Sequence, residues 1–209
     1  MKMDNLKSLL ILPICLLAAC APKKPMMEQQ QGSALEQPAP KSVSVEQHKE
    51  KTKMVSSWEI RGAMAAKSKA KGWSAAMNWK QTGANSYQIR LLGPLGAGAV
   101  LISKSGGTIS FQDGPKKITS DNADDLLLQQ TGIRLPVNNL YYWVRGLPAP
   151  GSVGTEQHDQ EHRLVQLKQN GYTINFGNYT TVKGAELPGL VRLEGNGVMI
   201  KVVIKNWSV

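Results

Sequence analysis

The sequence is poor in the groups that carry covalent chemistry: 209 residues include only two cysteines and three histidines. Both cysteines, Cys15 and Cys20, fall in the first twenty residues. The body of the chain therefore has no disulfide to staple it and must rely on a hydrophobic core. No G-x-S-x-G nucleophile elbow occurs, and "GPLGAG" at 93–98 has glycines without the lysine and following hydroxyl that hold phosphate and metal. These absences exclude nucleotide hydrolysis and rank an enzyme last; no cofactor is expected. Long apolar runs are also missing. The run from about Leu9 to Ala19 is much shorter than the ~20 residues of a spanning helix.

That short run is informative in its setting. It follows Lys2 and Lys7 and closes on Leu17-Ala18-Ala19-Cys20, the pattern of a bacterial lipoprotein signal cut just before the cysteine. The expected layout is a signal peptide over 1–19, a lipidated Cys20 opening a flexible tether over 20–42, and one domain over 43–209. Pro and Gln dominate "APKKPMMEQQQGSALEQPAPK", a composition that does not fold alone. Ala21 in place of an aspartate favours the outer over the inner membrane. Removing 1–19 takes away Lys2, Lys7 and Asp4, so the formal charge falls from +10 to +9. This excess of cations suits phospholipid head groups or an acidic protein. Nucleic acid is not expected outside the cytoplasm.

In the body, residues 43–56 read as a surface helix with Glu46 and Glu50 ahead of Lys49 and Lys53. The period then becomes two. Trp58, Ile60, Gly62, Met64 and Ala66 share one parity, as do Trp73, Ala75, Met77 and Trp79, then Tyr87, Ile89 and Leu91. Further half-wet strands follow up to "GVMIKVVIKNW", with Asn170-Gly171 as a hairpin turn. About ten antiparallel strands result. Two helices interrupt them: "SDNADDLLLQQTG", with Ser120 or Asp121 as cap and Gly132 as stop, and "LPVNNLYYWVRGLP", with an apolar stripe of Val137, Leu140, Tyr141 and Val144. They are placed to cover the concave side of a curled sheet. Periodicity leaves two arrangements open, a solid core and a lidded cavity.

Two local features call for a reading. "HDQEH", His158 to His162, matches H-x-x-E-H, but it runs into an alternating strand rather than lying on a helix, so a solvated loop is expected and no metal site. Leu95 stands between Pro94 and Gly96 where the chain should turn into water. It is either folded back or held out against something apolar.

The lipobox, Asn78-Trp79-Lys80-Gln81-Thr82-Gly83, Pro94-Leu95-Gly96, Trp143-Val144-Arg145-Gly146-Leu147-Pro148 and the closing "IKVVIKNW" occur in this order. Together they resemble the LolB family of outer-membrane lipoprotein receptors over nearly the whole body. The resemblance implies a mainly β fold with helices: an incomplete antiparallel β-barrel of about eleven strands with a helical lid over an apolar cavity. It implies a monomer, lipid-anchored through Cys20 on the periplasmic face of the outer membrane of a Gram-negative bacterium. Such a protein accepts acylated lipoproteins from the periplasmic carrier LolA and inserts them into the inner leaflet. Its partners are then that carrier, the cargo's acyl chains and outer-membrane phospholipid. Pro94, Leu95 and Gly96 become the membrane-insertion loop, with Lys67, Lys69 and Lys71 beside it either at head groups or merely solvated. The expected acyl-chain cavity is lined by Trp58, Ile60, Met64, Trp73, Met77, Trp79, Tyr87, Ile89, Leu91, Ile109, Phe111, Leu127, Leu140, Trp143 and Val144. The alternative function is a membrane-tethered binder of free lipid or another apolar ligand; a structural lipoprotein with a solid core comes third.

Overall fold

The computed structural model describes residues 44–93 and 98–209. Cys20, the tether and Pro94, Leu95 and Gly96 lie outside the described residues. The chain begins with α1 (Val45–Met54), then runs β1 (Trp58–Ser68), β2 (Gly72–Gln81), β3 (Ser86–Leu92), β4 (Ala99–Ser105), β5 (Thr108–Asp113) and β6 (Lys116–Ser120) as a meander. Next come α2 (Ala123–Thr131) and α3 (Val137–Trp143), then β7 (Val153–His158), β8 (Leu164–Gln169), β9 (Tyr172–Gly177), the small hairpin β10 (Thr180–Val182) and β11 (Ala185–Leu187), β12 (Leu190–Gly195) and β13 (Val198–Ser208).

Eleven strands form one sheet in the order β6-β5-β4-β3-β2-β1-β13-β12-β9-β8-β7, and β10 and β11 pair separately. Every recorded pairing is antiparallel. The expectation of about eleven strands in an open sheet therefore holds. The β1–β13 pair is the seam between an N-terminal half and a C-terminal half. Its register shifts between Arg61 and Gly62, where Arg61 pairs with Asn206 but Gly62 with Ile204, leaving Lys205 as the extra residue. Such a bulge bends the strand and sharpens its twist.

The alternation read from the sequence sorts the side chains as expected. Ile60, Trp79, Ile89, Ile102 and Phe111 stand side by side on the concave face through successive pairs and are 0–5% exposed. The helices begin and end for local reasons. Ser44 and Gln47 close a capping box at α1. The cap of α2 is Asn122, whose side chain accepts from the Asp125 N–H, rather than Ser120 or Asp121; Ser120 instead accepts from the Asn122 N–H. Gly132 stops α2 with φ of 72°, a left-handed backbone that favours glycine.

Two elements escaped the sequence reading. The stretch ahead of His162 is not all loop: Val153–His158 forms the edge strand β7. Most of its side chains are exposed on both faces, so it shows none of the alternation that marks a half-buried strand. The β10–β11 hairpin was missed because three residues per strand are too few to display a period.

Candidate functional site

The concave face of the sheet and the two helices over it meet in the region expected to hold acyl chains. Leu127 of α2, Leu140 and Trp143 of α3 and Val144 just after it are 0% exposed. They share one core cluster with Trp58, Ile60, Met64, Met77, Trp79, Tyr87, Ile89, Leu91, Ile109 and Phe111, all 5% exposed or less. Trp73 alone of the expected lining is half-buried, packed at the margin of that cluster. The structure thus brings the expected residues together, with almost none of their surface open to water. They make a closed core in place of an open cavity, because the helix side chains fill the hollow of the curved sheet.

This core is not apolar throughout. The indole N–H groups of Trp58 and Trp73 and the Tyr87 hydroxyl are buried without a hydrogen-bond partner among the described residues. Each such group costs about 1–3 kcal/mol. Burial also pushes the Tyr87 phenol well above its ordinary pKa, with Asp124 adding to the effect. Trp79 escapes the penalty through Gln81, whose Oε1 accepts from the indole at 2.8 Å while its Nε2 donates to the Gly83 carbonyl. The sequence signal for Gln81 was available: it sits at the inward parity of β2, where only apolar residues precede it.

The two helices are held very differently. Gln169 of β8 is 3% exposed; its Oε1 accepts from the Trp143 indole at 3.0 Å and the Ala149 N–H at 2.9 Å, and its Nε2 donates to the Ala149 carbonyl at 2.7 Å. Arg145, also 3% exposed, donates to the Tyr141 carbonyl at 3.0 Å and to the Val55 carbonyl at 2.8 Å, and stacks on the Tyr141 ring at 4.0 Å. It forms no ion pair with a described carboxylate; instead it faces the carbonyl ends of α3 and α1, where the helix dipoles are negative. These contacts bind α3 to β8 and to α1. By contrast, no buried side-chain hydrogen bond among the described residues ties α2 to the sheet, and its polar link is the exposed Lys116–Gln130 pair at 3.2 Å. Gln169 and Arg145 were missed as anchors because their partners lie up to 90 residues away in sequence.

The loop of interest leaves the sheet at a defined place. Leu92 pairs with Ala76 and Ala99, so the β3–β4 connection emerges at the end of the sheet that also carries the β1–β2 hairpin with Lys69 and Lys71. The β5–β6 turn with Lys116 opens at the same end, since Asp113 pairs with Val100 and Lys116. Exposed Leu92 and Met199 are there too, Met199 opposite Lys67.

At the opposite end lie His158 and His162. His158 closes β7, and His162 sits in the following turn with φ of 65°. Asp159 organises that turn, accepting from the N–H groups of Glu161 and Arg163. The two rings are thus on a strand end and a turn, not on one helical face. Burial holds His158 below the ordinary imidazole pKa, with Glu156 at 3.4 Å opposing it. A depressed histidine pKa contributes stability that is full above the unfolded value near 6.5 and falls as the pH drops through it. In an NMR titration the His158 ring is expected to have its midpoint below 6.5; a midpoint above it would refute this account.

Comparison with known proteins gives the family. A family model described as "Outer membrane lipoprotein LolB" matches residues 56–207. An outer-membrane lipoprotein LolB of Coxiella burnetii (strain RSA 493 / Nine Mile phase I) is 37% identical over 155 residues, 74% of this chain and 73% of that one. The LolB of Pseudomonas paraeruginosa (strain DSM 24068 / PA7) is 36% identical over 162 residues, 77% and 78% of the two chains. Among solved structures, a LolA superfamily protein of Nitrosomonas europaea superposes with a TM-score of 0.48 at 9% identity, covering 80% of this chain and 94% of that one. With the family match spanning nearly the whole described domain, the chain belongs to the LolB family of outer membrane lipoproteins, the non-enzymatic outer-membrane receptors of the Lol pathway.

Proposed function

We propose that this protein takes triacylated lipoproteins from the soluble carrier LolA, holds their acyl chains under the two helices, and releases them into the inner leaflet of the outer membrane. The observation that carries the reading is a concave apolar face roofed by two short helices, within a chain of this family. Each buried CH₂ is worth about 0.8 kcal/mol, so a lipoprotein with three chains cannot cross water bare at a useful rate. The chains need an apolar shelter at each stage. Without a nucleotide site to drive it, each handover runs downhill, from carrier to receptor to membrane.

The closed core is then the empty state. We assign the movable part of the lid to α2, because α3 is bonded to β8 and α1 by buried or part-buried hydrogen bonds while α2 rests on the sheet by apolar contact and the exposed Lys116–Gln130 hydrogen bond. The unpartnered groups of Trp58, Trp73 and Tyr87 favour this view, since they lower the stability of the closed packing. Leu95, on the connection between β3 and β4, is the residue proposed to enter the acyl region of the bilayer and help the cargo out. Lys67, Lys69, Lys71 and Lys116 stand at that end to meet anionic head groups, each worth about 1 kcal/mol near such a surface. Cys20 is the proposed lipid anchor.

The test mixes the protein lacking its anchor (Cys20→Ser) with carrier loaded with a labelled lipoprotein. Label is expected to move to the receptor. In the anchored protein, Leu95→Glu is expected to leave this uptake intact and to abolish delivery to outer-membrane vesicles. Label that stays on the carrier, with the receptor folded, points to a binder of free lipid. Intact delivery by Leu95→Glu removes the insertion role.

A further inference from the structure

The outer face of the sheet carries a site of its own. The bulge at Gly62 and the twist around it hollow this face into a groove of about 680 Å³ on the side away from the lid. Its lining includes Ala76, Leu92 and Leu101, of which Ala76 and Leu92 are exposed, together with Arg61, Lys80, Arg90 and Lys205. Glu59, the carboxylate beside it, is already taken by Arg61 at 3.0 Å and by the Asn78 amide at 2.9 Å. Lys80, Arg90 and Lys205 form no ion pair with a described residue, and the carboxamides of Gln88 and Asn206, which also line the groove, have no side-chain partner there. Further along the same face Arg192 stands directly opposite Lys201 across β12 and β13. Like charges placed so are destabilising, and a row of uncompensated cations is the electrostatic complement of an anionic partner.

The chemistry of the lining narrows that partner. Anionic head groups or a lone phosphate account for the cations alone, whereas the lining also offers two carboxamides and the apolar side chains of Leu92 and Leu101. An extended acidic polypeptide uses all three features: its carboxylates meet the cations, its backbone meets Gln88 and Asn206, and its side chains cover Leu92 and Leu101. Leu92 also places one end of the groove beside Gly93, where the β3–β4 connection begins. On the reading above, that is the end at which lipid leaves for the membrane. A polypeptide joined to that lipid emerges next to the groove.

We propose that the outer groove seats an acidic stretch of the cargo lipoprotein's own polypeptide arm, just beyond its lipidated cysteine, while the acyl chains lie on the opposite face of the sheet. The proposal rests on the receptor reading for the identity of the arm, though not for the chemistry of the groove. Cargo with an acidic arm is then held at two points, and salt weakens the second.

The experiment uses the mature protein with Cys20→Ser and fluorescent peptides, hexaglutamate and a Gly-Ser hexamer, each free and attached to a diacylglyceryl cysteine. Free hexaglutamate is expected to bind in a salt-sensitive way, and the Arg90→Glu/Lys205→Glu pair to weaken it by about tenfold or more. The milder Arg90→Gln/Lys205→Gln pair guards against misfolding and is expected to weaken it in the same direction. Lipidated hexaglutamate is expected to outbind the lipidated Gly-Ser peptide on the wild type and to lose that advantage in both variants. Equal binding of free hexaglutamate by wild type and variants, or none by either, overturns the proposal. So does a variant that loses affinity for phosphatidylglycerol vesicles while keeping hexaglutamate, since the face then serves the membrane. Failure of the wild type to take up either lipidated peptide, with free hexaglutamate still bound at the groove, counts against the receptor reading and against the cargo as the source of the arm.

Discussion

Gly62→Ala is expected to be among the most damaging single-methyl changes at the described residues. A Cβ at this position would stand 1.9 Å from the Val203 carbonyl oxygen and 3.1 Å from the Ile204 Cα. Both obstacles are backbone of β13, the strand on the other side of the seam, so no side-chain rotation relieves the clash. The strands must part, and with them the bulge that sets the register of Gly62 on Ile204. Overpacking of this kind costs about 3 kcal/mol or more. At roughly 2–4 °C per kcal/mol for a domain of this size, the melting temperature should fall by about 6–12 °C. Gly83→Ala is a useful contrast, because nothing lies within 4 Å of a Cβ there; its φ of 130° adds only local backbone strain. Calorimetry of the two variants decides the matter: equal melting temperatures would mean that the seam is more pliable than its geometry implies.

Arg145→Met is expected to rank close behind. Methionine keeps much of the aliphatic stem but leaves the Val55 and Tyr141 carbonyls without their donor, and it removes a cation stacked on Tyr141. Two unsatisfied carbonyls and the lost stacking add to about 2–4 kcal/mol. The damage should be concentrated at α1. That helix buries little of itself, Thr52 being its buried residue, and it is held by polar ties such as Lys49–Glu156 at 2.8 Å and His48–Glu186 at 3.3 Å. Trypsin should therefore cut after Lys51 and Lys53 well before the sheet unfolds. Tyr141→Phe, which removes only the 3.3 Å bond from its hydroxyl to the Ser56 carbonyl, is expected to cost less than about 1 kcal/mol. If Arg145→Met and Tyr141→Phe prove alike, Arg145 does not tie the helices together.

Both predictions concern contacts that link distant parts of the chain, and this is where sequence reading ran out. The period-two alternation of Trp58, Ile60 and Met64, or of Trp73, Met77 and Trp79, is a local property, because successive side chains on a strand must point to opposite faces. It therefore announced the sheet, its wet and dry faces and the side of it that the helices cover. Gly132 as a helix stop and Asn170-Gly171 as a hairpin turn were legible for the same reason, being local backbone requirements. Separated motifs such as Asn78 to Gly83 and Trp143 to Pro148 were sufficient to bring the chain to its family.

Volume and long-range partnership are not local. Whether the hollow of the sheet stands open or is filled depends on how far it curls and on where Leu127, Leu140 and Trp143 arrive, which no pattern of parity encodes. The tertiary structure decided that the expected lining packs shut and that α3 is fastened through Gln169 and Arg145 while α2 is not. It also decided that an edge strand forms at Val153–His158 without any alternation, since its pairing with β8 supplies what its side chains do not. The outer groove arose in the same way: Arg61, Lys80, Arg90 and Lys205 read separately as ordinary wet positions, and only the bulge at Gly62 and the register of four strands gather them around one groove.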